Sequence, residues 1–480
     1  MLASVTLYRP LVFWGNNPWD LSAPQAIFIV AFVEFTILFA SLALISRWVT
    51  DIYLSAIFIA IAALILLNVH LVDSLPGVII LAAAAVVVLA IATHHERRGS
   101  RWATFLAVSV LVVAPSVQVV IRHLENRIPY PAAATQVVGT VAPQPDVEDI
   151  LVLIVDGYPM ATVAEQWFEH DTEALRRALS SMGFATPPVS WSHNTTTSLA
   201  IPSMLEMRQV ADVSHDGAWQ NQKSIFDIAR GGSLVVAALE GAGFNYTHIE
   251  SGWNGDVCGL ADACRRRPWI DGANWGLLRS SVMAPLIESV YGSPHATATR
   301  QTADHLLSLG LFGDGERDFV YAHMMLPHAP RVVDADCKVK PAHNRPQGTG
   351  GVQDQLACVD SLLLDIMNSI TDETVVVIAG DHGTATRSQI STPISEWTDD
   401  DIVERLGAFL AYRMPSRCRT PAAQSNVQVM RVMMACATDL EIPEPAPSYV
   451  LGLEDHVIVD SSRLARIENR LSSTLATAAQ

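Results

Sequence analysis

The apolar residues of this 480-residue chain are concentrated at one end. Four stretches of membrane-spanning length fall within the first 122 residues, and nothing after them is comparable. They run from Ala26 to Ile45, Ile52 to Val72, Gly77 to Thr93 and Trp102 to Ile121. Each is near the roughly 20 residues that cross about 30 Å of hydrocarbon. They are apolar all round, whereas a half-buried helix of a globular domain shows a polar face every turn. Residues 1–127 are therefore expected to form a transmembrane domain of four helices, 128–147 a Pro- and Ala-containing connector, and 148–480 a separate folded domain. Glu34 is the one carboxylate of the first span, open to either a functional role or a helix contact near one end. The stretch before that span lacks a basic start followed by a cleavage site, so no removable signal peptide is expected.

The short loops give the orientation. Arg47 lies between spans one and two, and Arg97, Arg98 and Arg101 lie between spans three and four, while the loop between spans two and three has no Lys or Arg. The positive-inside bias puts the first and third loops in the cytoplasm and the folded domain on the other side. Cys258, Cys264, Cys337, Cys358, Cys418 and Cys436 all lie beyond the last span, as expected of a domain folding in an oxidising compartment. Sequence proximity pairs 258 with 264, 337 with 358 and 418 with 436. A zinc site is the competing reading, but no paired CxxC spacing supports it. With 31 Lys and Arg against 48 Asp and Glu, the composition excludes an ordinary basic-patch nucleic-acid binder.

In the folded part, Ile150 to Val155 is a continuous apolar run, the signature of a strand buried on both faces of a parallel sheet. Asp156-Gly157 follows at once. Phe319 to Ala322 likewise runs into His323 and then His328, and Thr374 to Ala379 runs into Gly380-Asp381-His382-Gly383. Amphipathic helices are expected between these runs, over 160–182, 224–242, 299–309 and 352–371. Alternating strands and helices predict an α/β domain with a mainly parallel central sheet. Ligand sites of such folds lie beyond the carboxyl ends of the strands, where Asp156, His323, His328, Asp381 and His382 all stand.

Ser192 to Met204 holds three successive threonines before a helix-compatible apolar run. One reading is a hydroxyl cap on a helix start. The other is a hydroxyl nucleophile at a helix N-terminus, where the dipole favours an incoming phosphoryl group. Two Asp and one His supply a seat for one divalent cation that would activate such a hydroxyl.

Val152 to Gly157, the threonine segment, Leu326-Pro327-His328-Ala329-Pro330 and Asp381-His382-Gly383 occur in the order and approximate spacing of the alkaline phosphatase and sulfatase superfamily. The sequence resembles its membrane-anchored phosphotransferases: phosphoethanolamine transferases, lipoteichoic acid synthases and related sulfatase-like proteins. The run Glu404 to Tyr412 looks like the late strand of that group. The resemblance implies an alkaline phosphatase-like domain in which Asp156, Asp381, His382 and Thr195 hold one metal ion, Zn²⁺ or Mn²⁺ before Mg²⁺ or Ca²⁺. Counting from Ser198 and Pro202 makes Thr195 the nucleophile. The resemblance further gives His328 a phosphoryl contact and the protonation of the leaving group. His323, at its strand end, is open to either a substrate contact or a structural role, and Asn194 is a further candidate substrate contact. There are departures too. No Cys-x-Pro-x-Arg type motif is present, which removes formylglycine sulfatase chemistry, and no counterpart of the second-metal Asp-x-x-x-His is found. The function implied is transfer of a phospho-head group from a membrane phospholipid to a glycan or lipid acceptor through a phospho-threonine. A periplasmic phosphodiesterase or phosphatase is the alternative, and the implied location is the bacterial inner membrane with the catalytic domain on the periplasmic side.

Overall fold

Asp149–Val155 (β1) is seven residues long and every one is buried. A strand so apolar must be covered on both faces, and it is. Leu151, Leu153 and Val155 point into one core layer, and Ile150, Val152 and Ile154 into the other. The period-2 geometry of a strand divides the single run between the two faces. Truncating one of these side chains to alanine would cost about 2–5 kcal/mol.

A computed structural model describes residues 141–210, 228–253, 258–265, 293–308 and most of 315–478, all within one compact unit made of Pro129–Asp271 and Gly292–Gln480. After β1 come α1 (Ala161–Phe168), α2 (Glu173–Ser181), α3 (Thr197–Leu205), α4 (Leu234–Gly241), β2 (Asn245–Ile249) and β3 (Ala263–Arg265). They are followed by α5 (Pro294–Ser308), β4 (Asp318–Met324), α6 (Val352–Ser369), β5 (Val375–Ala379), α7 (Asp399–Leu406), β6 (Leu410–Arg413) and α8 (Asn426–Ala437). The short pair β7 (Val450–Leu451) and β8 (Val457–Ile458) precedes the last helix, α9 (Ser461–Ala478). The main sheet runs β3-β2-β4-β1-β5-β6. Its first five strands are parallel and only β6, on the edge beside β5, is antiparallel. Helices α1, α2, α6 and α7 cover one face and α3, α4 and α8 the other. The expected mixed α/β domain with a mainly parallel sheet is what forms.

Three expectations need correction. The stretch 160–182 is two helices, because Glu169 takes a left-handed backbone (φ 51) after α1 and Asp171 Oδ1 accepts from Glu173 N at 2.9 Å to start α2. Glu404 to Leu406 belong to α7, and the late strand begins only at Leu410. A capping box starts that helix, with Thr398 Oγ1 accepting from Asp401 N and the Asp401 carboxylate accepting from Thr398 N. Strands β2 and β3 had no counterpart in the reading of the sequence, since Asn-Tyr-Thr-His-Ile alternates polar and apolar residues too briefly to stand out. The six cysteines pair as sequence proximity suggested: 258 with 264, 337 with 358, and 418 with 436. The four expected spans, at 26–45, 52–72, 77–93 and 102–121, lie outside the described residues. Among the described residues no helix is long and apolar enough to cross a membrane.

Candidate active site

The carboxyl ends of β1, β4 and β5 lie side by side because β1 pairs with both neighbours in parallel. At the end of β1, Asp156 N still donates to Met324 O at 2.9 Å, so the ladder runs into the site itself. Gly157 then turns with φ +68, a left-handed backbone that a side chain would strain. Its N–H donates to Asp381 Oδ1 at 2.9 Å, locking the first carboxylate segment to the second.

Beyond β5, Asp381 and His382 are buried. Gly383 is required next, because a Cβ there would stand 1.9 Å from Glu404 O and 2.6 Å from Gly407 O. Its N–H donates to Arg405 O at 2.9 Å. His382 Nδ1 lies 2.8 Å from Gly383 O, which assigns the proton to Nδ1 and leaves a lone pair on Nε2.

That lone pair faces three oxygens: Thr197 Oγ1 at 3.2 Å, Asp381 Oδ2 at 3.3 Å and Asp156 Oδ1 at 3.8 Å. Neither of the two carboxylate oxygens has a hydrogen-bond partner, although both are buried. Burying unpaired acceptors is costly unless a cation compensates them. Ligands held at 2.0–2.1 Å in a tetrahedron lie about 3.3–3.4 Å apart, close to the observed spacing. The donor set therefore fits one divalent cation. His328 stands at the edge of this donor set, since ligand atoms of Asp156, His328 and His382 lie within 4.8 Å of one another.

The charges agree. Burial alone would push the Asp156 carboxyl up, but His328, a hydrogen bond from His323, and His382 overcome this and hold it well below the ordinary carboxylate range. Burial, reinforced by the Arg405 guanidinium, pushes the His382 imidazole down to about 4 despite Asp381 and Asp156. Near neutral pH the site thus presents an ionised Asp156 and an uncharged imidazole, the forms that metal binding requires.

The hydroxyl at His382 belongs to Thr197, the first residue of α3, and not to Thr195 two positions earlier. Thr195 is buried, and its carbonyl accepts from Arg405 Nη2. Thr196 occupies the cap position in an extended backbone, with no side-chain cap hydrogen bond. Asn194, expected at the substrate, turns its amide into α3, donating to Ser203 Oγ at 2.9 Å and Leu199 O at 3.3 Å. His323 has no exposed surface; its Nε2 lies 3.4 Å from Asp156 Oδ2 and steadies that carboxylate from behind. His328 is half-buried, with Nδ1 2.6 Å from Ala329 O, and Gln355 holds its turn by donating to Pro327 O at 2.8 Å and His328 O at 2.9 Å. Asp360 is committed elsewhere, to Tyr158 Oη at 2.5 Å and His170 Nε2 at 2.8 Å.

The reading of the sequence missed Arg405 as a site residue. From the last turn of α7 its Nη1 donates to Gly383 O at 2.9 Å and lies 3.2 Å from His382 Nδ1, while Nη2 reaches Thr195 O. Nothing local in Glu404-Arg405-Leu406 signals this, because the three partners are distant in sequence.

No protein-family model and no curated protein matches the sequence. The chain resembles the alkaline phosphatase and sulfatase superfamily in the order of its motifs. The solved structures to which it is similar include the integral membrane protein lipooligosaccharide phosphoethanolamine transferase A of Neisseria meningitidis, at 14% identity over 76% of this chain and 69% of that one, with a TM-score of 0.44. They include the C-terminal periplasmic domain of EcEptC from Escherichia coli, at 10% identity over 68% and 96%, TM-score 0.39. A third is the lipoteichoic acid synthase LtaP of Listeria monocytogenes, at 9% identity over 61% and 74%, TM-score 0.38.

Proposed function

We propose that this chain is a membrane-anchored, metal-dependent phosphotransferase of the alkaline phosphatase and sulfatase type, with Thr197 as its nucleophile. The observation that carries the reading is the Thr197 hydroxyl 3.2 Å from His382 Nε2, beside two buried carboxylate oxygens that no hydrogen bond satisfies. Asp156, Asp381, His382 and Thr197 would hold one divalent cation, Zn²⁺ or Mn²⁺ by the mixed oxygen and imidazole donor set. When bound, it would supply Lewis-acid activation of the hydroxyl and neutralisation of phosphoryl charge.

The chain's own residues do the rest. Thr197 Oγ attacks phosphorus in line, the Oγ–P bond forming as the bond to the donor's alkoxide breaks. His328 donates a proton to the departing alkoxide, and the Thr197 proton is released to solvent. An acceptor hydroxyl on a glycan or lipid then displaces Thr197 and regenerates it. Gly157 and Gln355 keep the carboxylates and the His328 turn in register for both steps.

The donor in this proposal is a membrane phospholipid. The four apolar stretches of residues 26–121 anchor the domain at the outer leaflet of a bacterial inner membrane, and three disulfides support a periplasmic location for 148–480. Mass spectrometry of the full chain after incubation with membrane lipids tests this. A head-group mass should appear on Thr197, vanish with turnover in Thr197→Ala, and persist in Thr195→Ala. An adduct on Thr195, or turnover retained without Thr197, would overturn the assignment. Product analysis with and without a glycan acceptor separates transfer from hydrolysis.

A further inference from the structure

A nucleophile at the start of one helix and a metal ligand beyond the end of one strand need something that fixes their separation. The threonine turn and the end of β5 are far apart in sequence, and the Thr197 hydroxyl stands 3.2 Å from His382 Nε2. Arg405 spans the two. Its Nη2 donates to Thr195 O, its Nη1 donates to Gly383 O at 2.9 Å, and its own carbonyl accepts from Gly383 N at 2.9 Å. The residue next to it grips the same segment: Glu404 Oε1 accepts from Thr384 Oγ1 at 2.8 Å and Thr386 N at 2.7 Å. The whole stretch following His382 is thereby strapped to the end of α7.

We propose, resting on the functional reading above, that Arg405 is the positioning residue of this site. Its planar fork holds the threonine turn and the His382 backbone at one spacing, so that Thr197 Oγ1 and His382 Nε2 address the same point. Because Arg405 Nη1 donates to Gly383 O, it shares that acceptor with His382 Nδ1 and keeps the ring facing Thr197 with Nε2. A lysine would keep the charge but present a single ammonium, which cannot span two carbonyls in a fixed plane.

The test uses the full chain with Zn²⁺ alone as ligand and bis(p-nitrophenyl) phosphate as the probe substrate. Partners that orient metal ligands typically contribute about 10–100-fold in affinity or activity. Arg405→Gln should therefore lose about 10–100-fold in both Zn²⁺ affinity, read by competition with a chromogenic chelator, and kcat, with KM within about twofold of wild type. Arg405→Lys should recover less than half of that loss on a logarithmic scale, as the fork argument requires. Wild-type Zn²⁺ affinity in Arg405→Gln would overturn the proposal. A loss confined to KM would also overturn it, since it would make Arg405 a substrate contact. So would metal-free melting temperatures that fall far enough in both variants to account for the lost turnover. If the wild-type chain binds Zn²⁺ but cleaves no phosphodiester, the functional reading fails and the Zn²⁺ comparison still decides the role of Arg405.

Discussion

Replacing Asp381 by asparagine separates a cation site from an ordinary buried carboxylate. In the metal-free protein Asp381 Oδ1 accepts from Gly157 N at 2.9 Å, and an asparagine oxygen can keep that bond. Asp381 Oδ2 is buried without a hydrogen-bond partner, 3.3 Å from the lone pair on His382 Nε2. An amide nitrogen in its place would donate to that lone pair. Satisfying one buried acceptor pair is worth about 1–3 kcal/mol, so metal-free Asp381→Asn should be at least as stable as wild type. Zinc should reverse the order. At a zinc concentration 100 times its dissociation constant, wild type gains about 2.7 kcal/mol. For a domain of this size that raises the melting temperature by about 5 °C, at roughly 2 °C per kcal/mol. If loss of one ligand weakens binding about a thousandfold, the same zinc adds less than about 0.1 kcal/mol to the variant. Thermal melts of both full chains, first in EDTA and then in zinc, measure all four numbers. An equal zinc shift in both proteins would refute the placement of Asp381 among the ligands. A metal-free variant melting several degrees below wild type would refute the claim that its outer oxygen is unsatisfied.

Acid should destabilise the metal-free domain through His382. Its folded pKa, pushed to about 4 by burial and then Arg405, lies below the ordinary 6.5, so the unfolded chain takes up the proton first and stability falls as pH drops from about 6.5 towards 4. By pH 4.5 the loss should reach about 2–3 kcal/mol, and urea unfolding at pH 7.5 and 4.5 should show it shrinking in His382→Asn; an unchanged difference would count against it. Asp156, also held low, adds a loss in the same direction below its ordinary value of 3.8. Gly383→Ala would force a methyl group to within 1.9 Å of Glu404 O, so the strap from α7 must shift. It should cost about 3 kcal/mol or more and lower Zn²⁺ affinity, and calorimetry showing a wild-type protein would contradict that geometry.

Much of this was legible in the sequence, and for one reason. Strands of a parallel sheet are buried on both faces, so they appear as unbroken apolar runs, and whatever follows such a run stands on the functional edge. That is why the placement of Asp156, Asp381, His382 and the turn carrying His328 beyond the strand ends is legible in the sequence. The disulfides were legible because their partners are near in sequence, no more than 21 residues apart. The choice among Thr195, Thr196 and Thr197 was not, because three identical side chains carry no label. The structure shows only which hydroxyl stands at His382, that of Thr197, the first residue of α3, while Asn194 bonds into that helix and Arg405 takes the Thr195 carbonyl. The proximity of His323 to Asp156, with Nε2 3.4 Å from Oδ2, likewise follows from the pairing of β1 with β4. Periodicity and strand-end chemistry are local properties that a linear sequence displays. Which hydroxyl meets which imidazole depends on contacts between segments some 200 residues apart, and only the packed fold brings those together.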